Sequence, residues 1–116
     1  MIEHILNIVL AVTKQTNVTA ARATYYAPKF EGRKMADGEI YRNSYTCAYN
    51  KLPLGAWVRI TNPKNGLYVV VQNTDRKAGP GIDLSKTVFV LLGLSVQKGS
   101  GTVLVKALKD YEAGKE

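Results

Sequence analysis

The sequence is poor in the residues that most often build cross-links and metal sites. It contains a single cysteine, Cys47, and a single histidine, His4, among 116 residues. One thiol cannot form an intrachain disulfide, and one thiol with one distant imidazole does not make a zinc ligand set. No glycine-rich phosphate loop precedes a helical segment. We therefore expect neither a metal nor an organic cofactor.

Long hydrophobic runs are also missing. The marked apolar run of residues 5–12 is far shorter than the roughly 20 residues that a membrane-spanning helix needs, so no membrane span is expected. Two interpretations of residues 1–22 remain open. They are the remnant of an export signal, since small residues at 18–20 and 21–23 offer cleavage contexts, or an N-terminal helix packed on the domain.

Runs of like charge are absent although the chain is basic. Sixteen lysines and arginines face nine acids, which gives a formal charge of +7, yet no five basic residues are consecutive. A dispersed positive field favours a broad anionic matrix over a dedicated nucleic-acid arm. A nucleic-acid-binding barrel would rest on charge alone, so we expect no nucleic acid as partner. Simple solubility is the plain alternative.

The chain does contain enough apolar residues, 46%, to fill the core of one small domain. Short β-prone segments separated by turn residues predict strands at 23–26, 45–48, 57–61, 67–72, 82 and 102–108. Asn65-Gly66 predicts a hairpin between the third and fourth. One short helix is expected over residues 86–92, and residues 110–116 form a polar tail. The pattern predicts a mainly β, closed structure but does not separate it from OB-fold or SH3-like barrels.

The order of short motifs resembles one family. From residue 23 to residue 108 the chain carries, in sequence, ATYY (23–26), FEGRKMADGEIY (30–41), TCAY (46–49), LPLG (52–55), VRITN (58–62), VVV (69–71), DR (75–76) and IDLS (82–85). This succession resembles the rare lipoprotein A family. Three positions depart from its pattern: Tyr49 stands in place of a histidine, Thr74 in place of an asparagine, and Lys77-Ala78 in place of Gly-Pro.

The resemblance implies a fold and an activity. The implied fold is all-β, a six-stranded double-psi β-barrel with one short helix over residues 23–109, related to expansin and barwin barrels. The implied activity is that of a lytic transglycosylase, which cleaves peptidoglycan between MurNAc and GlcNAc and leaves a 1,6-anhydroMurNAc end. The partners would be peptidoglycan glycan strands, the protein a monomer, and its location the periplasm or the cell wall. The N-terminus carries no lipid-acceptor cysteine, because Cys47 lies inside the domain.

Two acids are the predicted catalytic residues. Cleavage of a glycosidic bond needs an acid that protonates the leaving oxygen. In the chemistry implied by the family the sugar's own C6 hydroxyl attacks, so one carboxyl group can serve first as acid and then as base. Asp75, which follows an apolar strand and enters a Gly/Pro loop, is assigned that role. Glu39 is the second candidate, for favouring the acid form of Asp75, binding sugar hydroxyls or stabilising oxocarbenium charge. The alternatives are a turn-capping aspartate and an exposed loop glutamate.

Four further residues are predicted to bind substrate. Tyr26 and Tyr41 can stack on sugar faces. Tyr49 can offer a hydrogen-bonding phenol, although an aromatic ring packed in the barrel is the alternative. Arg76 is assigned to the same set, with its guanidinium group expected to point away from Asp75.

Asp83 and Ser85 are predicted to be structural. Asp83 would tie a psi loop through backbone hydrogen bonds, and Ser85 would cap the helix, since the sequence offers no histidine base to make it a nucleophile. The departures at Tyr49 and Thr74 support an alternative function, that of a non-catalytic, expansin-like module that binds cell-wall polysaccharide.

Overall fold

The computed structural model describes residues 17–109. It contains six strands, β1 (Val18–Tyr25), β2 (Thr46–Tyr49), β3 (Trp57–Thr61), β4 (Tyr68–Asp75), β5 (Ile82–Leu84) and β6 (Gly101–Leu108), one helix, α1 (Lys86–Leu91), and a 3-10 turn at Pro28–Phe30. The predictions for residues 1–16 and 110–116 lie outside the described residues.

The strands close into a barrel in the order β1-β5-β2-β4-β3-β6, with β6 pairing back onto β1. The pairs β1/β5 and β2/β4 are parallel and the other four are antiparallel. Parallel neighbours cannot be joined by a tight hairpin, so the chain has to cross over between them. The predicted mainly β, six-stranded double-psi barrel with one short helix is confirmed.

The barrel interior is filled by alternate strand residues. Each strand points every second side chain inward. The inward set forms one cluster with the buried residues of α1 and its C-cap: Ala23, Cys47, Tyr49, Val58, Ile60, Val71, Ile82, Leu84, Val88, Phe89, Leu92, Val103 and Val105. Burial of this apolar area is the main stabilising contribution, at roughly 25 cal/mol per Å². The polar groups that concern function therefore lie on the outer face or at the ends of strands.

Strands β1 and β4 extend furthest beyond the ranges that the sequence pattern predicts. β1 begins at Val18 rather than at residue 23, because residues 18–22 pair with residues 102–106 of β6. β4 continues to Asp75, because its last residues pair in parallel with β2. Both extensions depend on partners far away in the sequence, which local periodicity does not reveal.

The helix is short and has defined ends. Ser85 lies at the N-cap, and its hydroxyl oxygen accepts a hydrogen bond from the amide of Val88 at 3.2 Å. Gly93, with φ of 74°, follows the last turn in the left-handed conformation that commonly ends helices. No helix within residues 17–109 has the length and apolar character to cross a bilayer.

The long loop between β1 and β2 folds back over the barrel. Residues 34 and 40 form an isolated antiparallel bridge, so the tip of this loop is a small hairpin. The amide of Asp37 donates to the carbonyl of Thr74 at 3.1 Å, which joins the tip to the end of β4. This contact brings loop residues next to Asp75.

Candidate functional site

A β-bulge determines the direction of Asp75. Cys47 pairs with Asn73, but the next residue of β2, Ala48, pairs with Asp75. Strict alternation from Asn73, which is buried, would turn Asp75 toward the same interior side. The extra residue in β4 instead aligns Asp75 with Ala48, which is also buried, at 1% exposure, but lies outside the core cluster. Bulges re-aim side chains in this way, often beside functional sites.

The carboxylate of Asp75 accepts hydrogen bonds from three separate segments. The Tyr26 hydroxyl donates to Oδ2 at 2.7 Å. The amides of Ala36 and Arg76 donate to Oδ1 at 2.9 and 2.8 Å. Bonds from donors to an ionised acceptor are among the stronger ones in proteins. They fix the carboxylate, which is half-buried, at the meeting point of β1, the long loop and the end of β4.

Tyr26 is held as a proton donor in this arrangement. Its ring stacks on Tyr41 with centroids 4.1 Å apart. Burial, the hydrogen bond to Asp75 and the nearby negative charges of Asp75 and Asp83 raise the pKa of Tyr26 well above its usual range. Burial and the charges of Glu31 and Asp83 raise the pKa of Tyr41 to about 12. Both phenols therefore keep their protons at physiological pH.

A pocket of about 420 Å³ opens beside this pair of rings. It is lined by Tyr25, Tyr26, Ala27, Pro28, Glu31, Tyr41, Asn43 and Lys86. Asn43 accepts a hydrogen bond from the amide of Thr87 at 3.0 Å, which fixes the loop against the start of α1. The lining combines aromatic faces with a few polar side chains, a composition typical of sites for small ligands.

Glu39 lies on the loop that covers Asp75 but not among the residues of the pocket. Its side chain is exposed, its amide donates to Asp37 Oδ1 at 2.9 Å, and its carbonyl accepts from the amide of Met35 at 2.7 Å. The hairpin therefore holds the Glu39 backbone near Ala36, whose own amide binds Asp75.

The structure does not bring the Tyr49 ring to Asp75. Tyr49 is 3% exposed, belongs to the core cluster, and touches a small depression shared with residues of β1 and β6. Its carbonyl accepts a hydrogen bond from the Arg76 guanidinium group at 2.9 Å. The Arg76 side chain thus bonds to β2, while only its amide serves Asp75.

Asp83 lies near the Tyr26–Tyr41 pair, whereas its predicted role was only to tie a loop. Its side chain is half-buried on β5, and Oδ1 accepts a hydrogen bond from the Thr24 hydroxyl rather than from a backbone amide. Its charge acts on both Tyr26 and Tyr41. The sequence did not predict that Asp83 lies near Tyr26 and Tyr41. No local signal shows which residues of β4 and β5 lie in the same row across β2.

Metal binding has no candidate in the described part of the chain. Residues 17–109 contain no group of three or more His, Cys, Asp or Glu side chains that could hold an ion.

Comparison with solved structures shows the class of the fold. The expansin of Clavibacter michiganensis superposes with a TM-score of 0.63 at 24% identity, over 80% of this chain and 51% of the expansin chain. Together with the closed strand order, this similarity identifies a double-psi β-barrel. No protein-family profile matches the chain.

Curated relatives show the family. The endolytic peptidoglycan transglycosylase RlpA of Neisseria meningitidis (serogroup B, strain MC58) is 39% identical over 90 residues, which cover 74% of this chain and 37% of the relative. An uncharacterised protein of Synechocystis, ssl3177, is 45% identical over 71 residues, which cover 60% of this chain and 78% of that protein. The chain belongs to the RlpA-like double-psi β-barrel family. It spans little more than a third of the length of the Neisseria relative.

Proposed function

We propose that this domain is a peptidoglycan lytic transglycosylase that cleaves between MurNAc and GlcNAc, with Asp75 as the proton-transferring residue. One observation carries the proposal: the Asp75 carboxylate is held by three donors on the outer face of the barrel, and its donor Tyr26 also lines the aromatic pocket. The names of the curated relatives support the same activity.

The proposed reaction needs one carboxyl group and no water. The reaction starts from protonated Asp75 and not from the carboxylate that accepts the three hydrogen bonds; its proton passes to the glycosidic oxygen as the bond from that oxygen to the anomeric carbon of MurNAc breaks. The C6 hydroxyl oxygen of the same MurNAc bonds to the anomeric carbon, and its proton passes to the Asp75 carboxylate. The products are a 1,6-anhydroMurNAc end and a GlcNAc with a free 4-hydroxyl, and Asp75 regains its starting state.

The neighbouring side chains would bind and orient the sugar. The half-buried ring of Tyr26 is proposed to offer a face for a pyranose. Tyr41, which is only 4% exposed, supports that ring by stacking on it rather than stacking on sugar as the sequence predicted. The Tyr26 hydroxyl orients Asp75 Oδ2, and Arg76 contributes its amide to Oδ1. Glu39, exposed on the adjacent hairpin, is proposed to bind sugar hydroxyls. Tyr49 is left out of this set because its ring is in the core.

The proposed substrate fits the charge of the chain. Peptidoglycan is anionic, and a formal charge of +7 would concentrate the protein on it. We infer a monomer that acts after export, in the periplasm or on the cell wall.

Digestion of purified sacculi tests this function. Mass spectrometry of the released products should show 1,6-anhydro muropeptides with the wild-type chain. Asp75→Asn, which keeps the shape of the side chain, should release them at least about 100-fold more slowly. Equal release by Asp75→Asn would remove Asp75 from the mechanism. Products with reducing MurNAc ends would instead indicate hydrolysis.

A non-catalytic, expansin-like wall-binding module is the second candidate. It is favoured by the burial of Tyr49, which stands in the histidine position of the family, at 3% exposure. Co-sedimentation with sacculi without release of any muropeptide, by wild type and Asp75→Asn alike, would support this candidate against the enzyme.

A further inference from the structure

Two side chains, Asn43 and Lys86, lie between the aromatic pocket and a second space on the surface. The aromatic pocket, at about 420 Å³, is of the size found for small-molecule sites. The second space is an open depression of about 310 Å³, lined by Thr87, Val90 and Leu91 together with the same two residues. Because Asn43 and Lys86 line both spaces, they form the boundary between them. A sugar ring in the aromatic pocket can therefore extend a substituent across this boundary and over α1.

The side-chain amide of Asn43 is oriented so that its nitrogen is free to bind a ligand. Its Oδ1 accepts a hydrogen bond from the backbone amide of Thr87 at 3.0 Å. Only the oxygen of a side-chain amide can accept such a bond, so the bond fixes which end is Nδ2. Within residues 17–109 the two N–H groups of Nδ2 have no partner. Asn43 is exposed, and these two donors can bind an acceptor at the boundary.

Lys86 places a positive charge beside this amide. It is the neighbour in sequence of the residue to which Asn43 is bonded. Its Nζ lies 6.0 Å from the centroid of the Tyr25 ring, and no acid among the described residues forms an ion pair with it. Glu31, the acid that lines the pocket, acts instead on Tyr41, where after burial its charge is the main cause of the raised pKa. The described part of the chain therefore leaves the charge of Lys86 without a paired anion.

These donors suit a carboxylate attached to a sugar. An ammonium group and an amide N–H can both donate to a carboxylate oxygen, and hydrogen bonds with an ionised partner are roughly twice as strong as neutral ones. The half-buried ring of Tyr26 offers an apolar face to the pyranose itself. Its hydroxyl donates to Asp75 at 2.7 Å, so a sugar on this ring lies next to the proposed proton donor. A neutral glycan could use the ring but would leave the charge of Lys86 without an anion.

We propose that Lys86 and Asn43 bind the carboxylate that branches from a MurNAc residue seated in the aromatic pocket, and that they make the domain select an acidic glycan over a neutral one. This inference rests on the proposed function, which supplies peptidoglycan as the glycan. MurNAc differs from GlcNAc only by the lactyl group on O3, which ends in a carboxylate. Where a stem peptide is attached to that group, the carboxylates of the peptide supply the same chemistry from further out, over the depression beside α1.

Titration with matched oligosaccharides tests this selection. The acidic ligands are a tetrasaccharide of alternating GlcNAc and MurNAc, and the same tetrasaccharide carrying stem peptides. The neutral ligands are the methyl ester of the first and a GlcNAc tetramer. Titrations followed by NMR use Asp75→Asn as the parent chain, so that no ligand is cleaved. We expect an acidic ligand to bind about tenfold more tightly than the neutral ones, and the ligand that does so identifies the source of the carboxylate. Equal affinity for all four would overturn the proposal.

The decisive variant in this parent is Lys86→Met, which removes the charge and keeps a long, unbranched side chain. It should weaken binding of the preferred acidic ligand about tenfold and leave binding of the GlcNAc tetramer within twofold. The matched control is Lys29→Met, which removes the same charge from an exposed lysine whose Nζ lies 5.4 Å from the Phe30 ring centroid and which does not line the pocket. It should stay within twofold of the parent for every ligand. Equal losses in both variants would refute the proposal, because net charge alone would then explain the preference.

A second variant, Asn43→Asp, tests the amide. A carboxylate oxygen can still accept the Thr87 amide, while the two donors are replaced by a negative charge. This variant should bind the acidic ligand no more tightly than the neutral ones. An unchanged preference would contradict the role of Asn43 and overturn the proposed pair.

Turnover by the wild-type chain separates this inference from the proposed function. If the parent shows a preference that depends on Lys86 but the wild type releases no 1,6-anhydro muropeptides, the proposed function fails and the carboxylate site stands. If the wild type releases these products but the parent shows no preference for an acidic ligand, the proposed function stands and the carboxylate site is refuted.

Discussion

Two polar side chains of β4, Asn73 and Asp75, have opposite surroundings although only one residue separates them. Asn73 is fully buried, and its amide nitrogen donates to the carbonyls of Tyr49, Leu52 and Pro53 at 2.9, 2.9 and 3.1 Å. Its oxygen accepts from the amide of Tyr49 at 2.9 Å. Every hydrogen-bonding group of this side chain is thus satisfied by the fixed backbone of β2 and the turn that follows.

Asp75 is bound just as fully but by segments of a different kind. Its donors come from the residue that follows β1, from the tip of the long loop and from the turn after β4, and the side chain stays partly open to solvent. The bulge between the two residues separates a position that organises the core from one that presents a carboxylate outward. The hydrogen bonds of Asn73 fix the backbone of β4. This fixed backbone holds Asp75 in place, so that its carboxylate can take a functional role.

Exchanging the two functional groups gives the largest expected effect. Asn73→Asp puts an unpaired carboxylate against three carbonyl oxygens in the core. An uncompensated buried charge costs about 3 to 5 kcal/mol, a large share of the 5 to 15 kcal/mol that stabilises an ordinary domain. Urea unfolding followed by circular dichroism should show a loss of about 4 kcal/mol or an unfolded chain.

The reverse exchange, Asp75→Asn, is the matched control. It should change the free energy of unfolding by about 1 kcal/mol or less, because its oxygen can still accept the amides of Ala36 and Arg76, while release of anhydro muropeptides is lost. If Asp75→Asn destabilises the fold as much as Asn73→Asp does, both residues have a structural role.

Alkaline pH should lower the free energy of unfolding through Cys47, whose thiol contacts Asn73. This thiol donates to Asn73 Oδ1 at 3.7 Å, and burial raises its pKa to about 12 from 9.0 in the unfolded chain. The folded state therefore holds a proton that the unfolded state loses. Stability is fully present below pH 9 and falls as pH rises toward 12, by up to about 1.4 kcal/mol per pH unit.

Urea unfolding at pH 8, 8.5, 9 and 9.5 measures that slope. Cys47→Ala should flatten the curve over this range, because Tyr26, Tyr41 and Tyr49, whose pKa values are also raised in the folded state, contribute only as the pH approaches 10.0, the pKa of tyrosine in the unfolded chain. Curves of equal slope for both proteins would place the thiol in contact with water and contradict its burial.

The sequence predicted the barrel better than it predicted the site. Turn residues and strand patterns mark all six strands, and the motif order supplies their closure, because these signals are local or sequential. The first half of β1 could not be predicted, since its pairing partner lies more than 80 residues away. Asp75 followed from its position after an apolar strand.

The contacts of that aspartate were beyond sequence reasoning. Tyr26 was expected to stack on sugar, whereas its donation to Asp75 depends on the parallel pairing of β1 with β5. The bulge in β4 places Asp75 in the same cross-strand row as Asp83, through Ala48. A shift of one residue in this pairing would turn the Asp75 side chain to the other face of the sheet. The burial of Tyr49, in contrast, follows from alternation with Cys47 on the same strand.

Removing one donor of Asp75 should have a moderate effect. Tyr26→Phe keeps the ring stack with Tyr41 but removes the hydroxyl that holds Oδ2, while both amide donors to Oδ1 remain. We expect a fall of about tenfold in kcat for anhydro-muropeptide release, near the 1.4 kcal/mol of one lost hydrogen bond to a charged group. Tyr41→Phe is the matched control and should stay within threefold of wild type. Equal losses in both would assign the effect to the aromatic pair rather than to the bond with Asp75.

The smallest effect is expected at Thr74, the residue between the two compared positions. Its side chain is 5% exposed, and its hydroxyl donates to the sulfur of Met35 at 3.2 Å. A thioether is a weak acceptor, so Thr74→Val, which conserves shape, should change the free energy of unfolding by no more than about 0.5 kcal/mol and activity by less than twofold. The carbonyl of Thr74, which accepts the Asp37 amide, is untouched by the substitution and continues to hold the loop. If Thr74→Val lowers activity more than twofold while the free energy of unfolding changes by no more than about 0.5 kcal/mol, the sulfur contact, and not the backbone, positions the loop over Asp75.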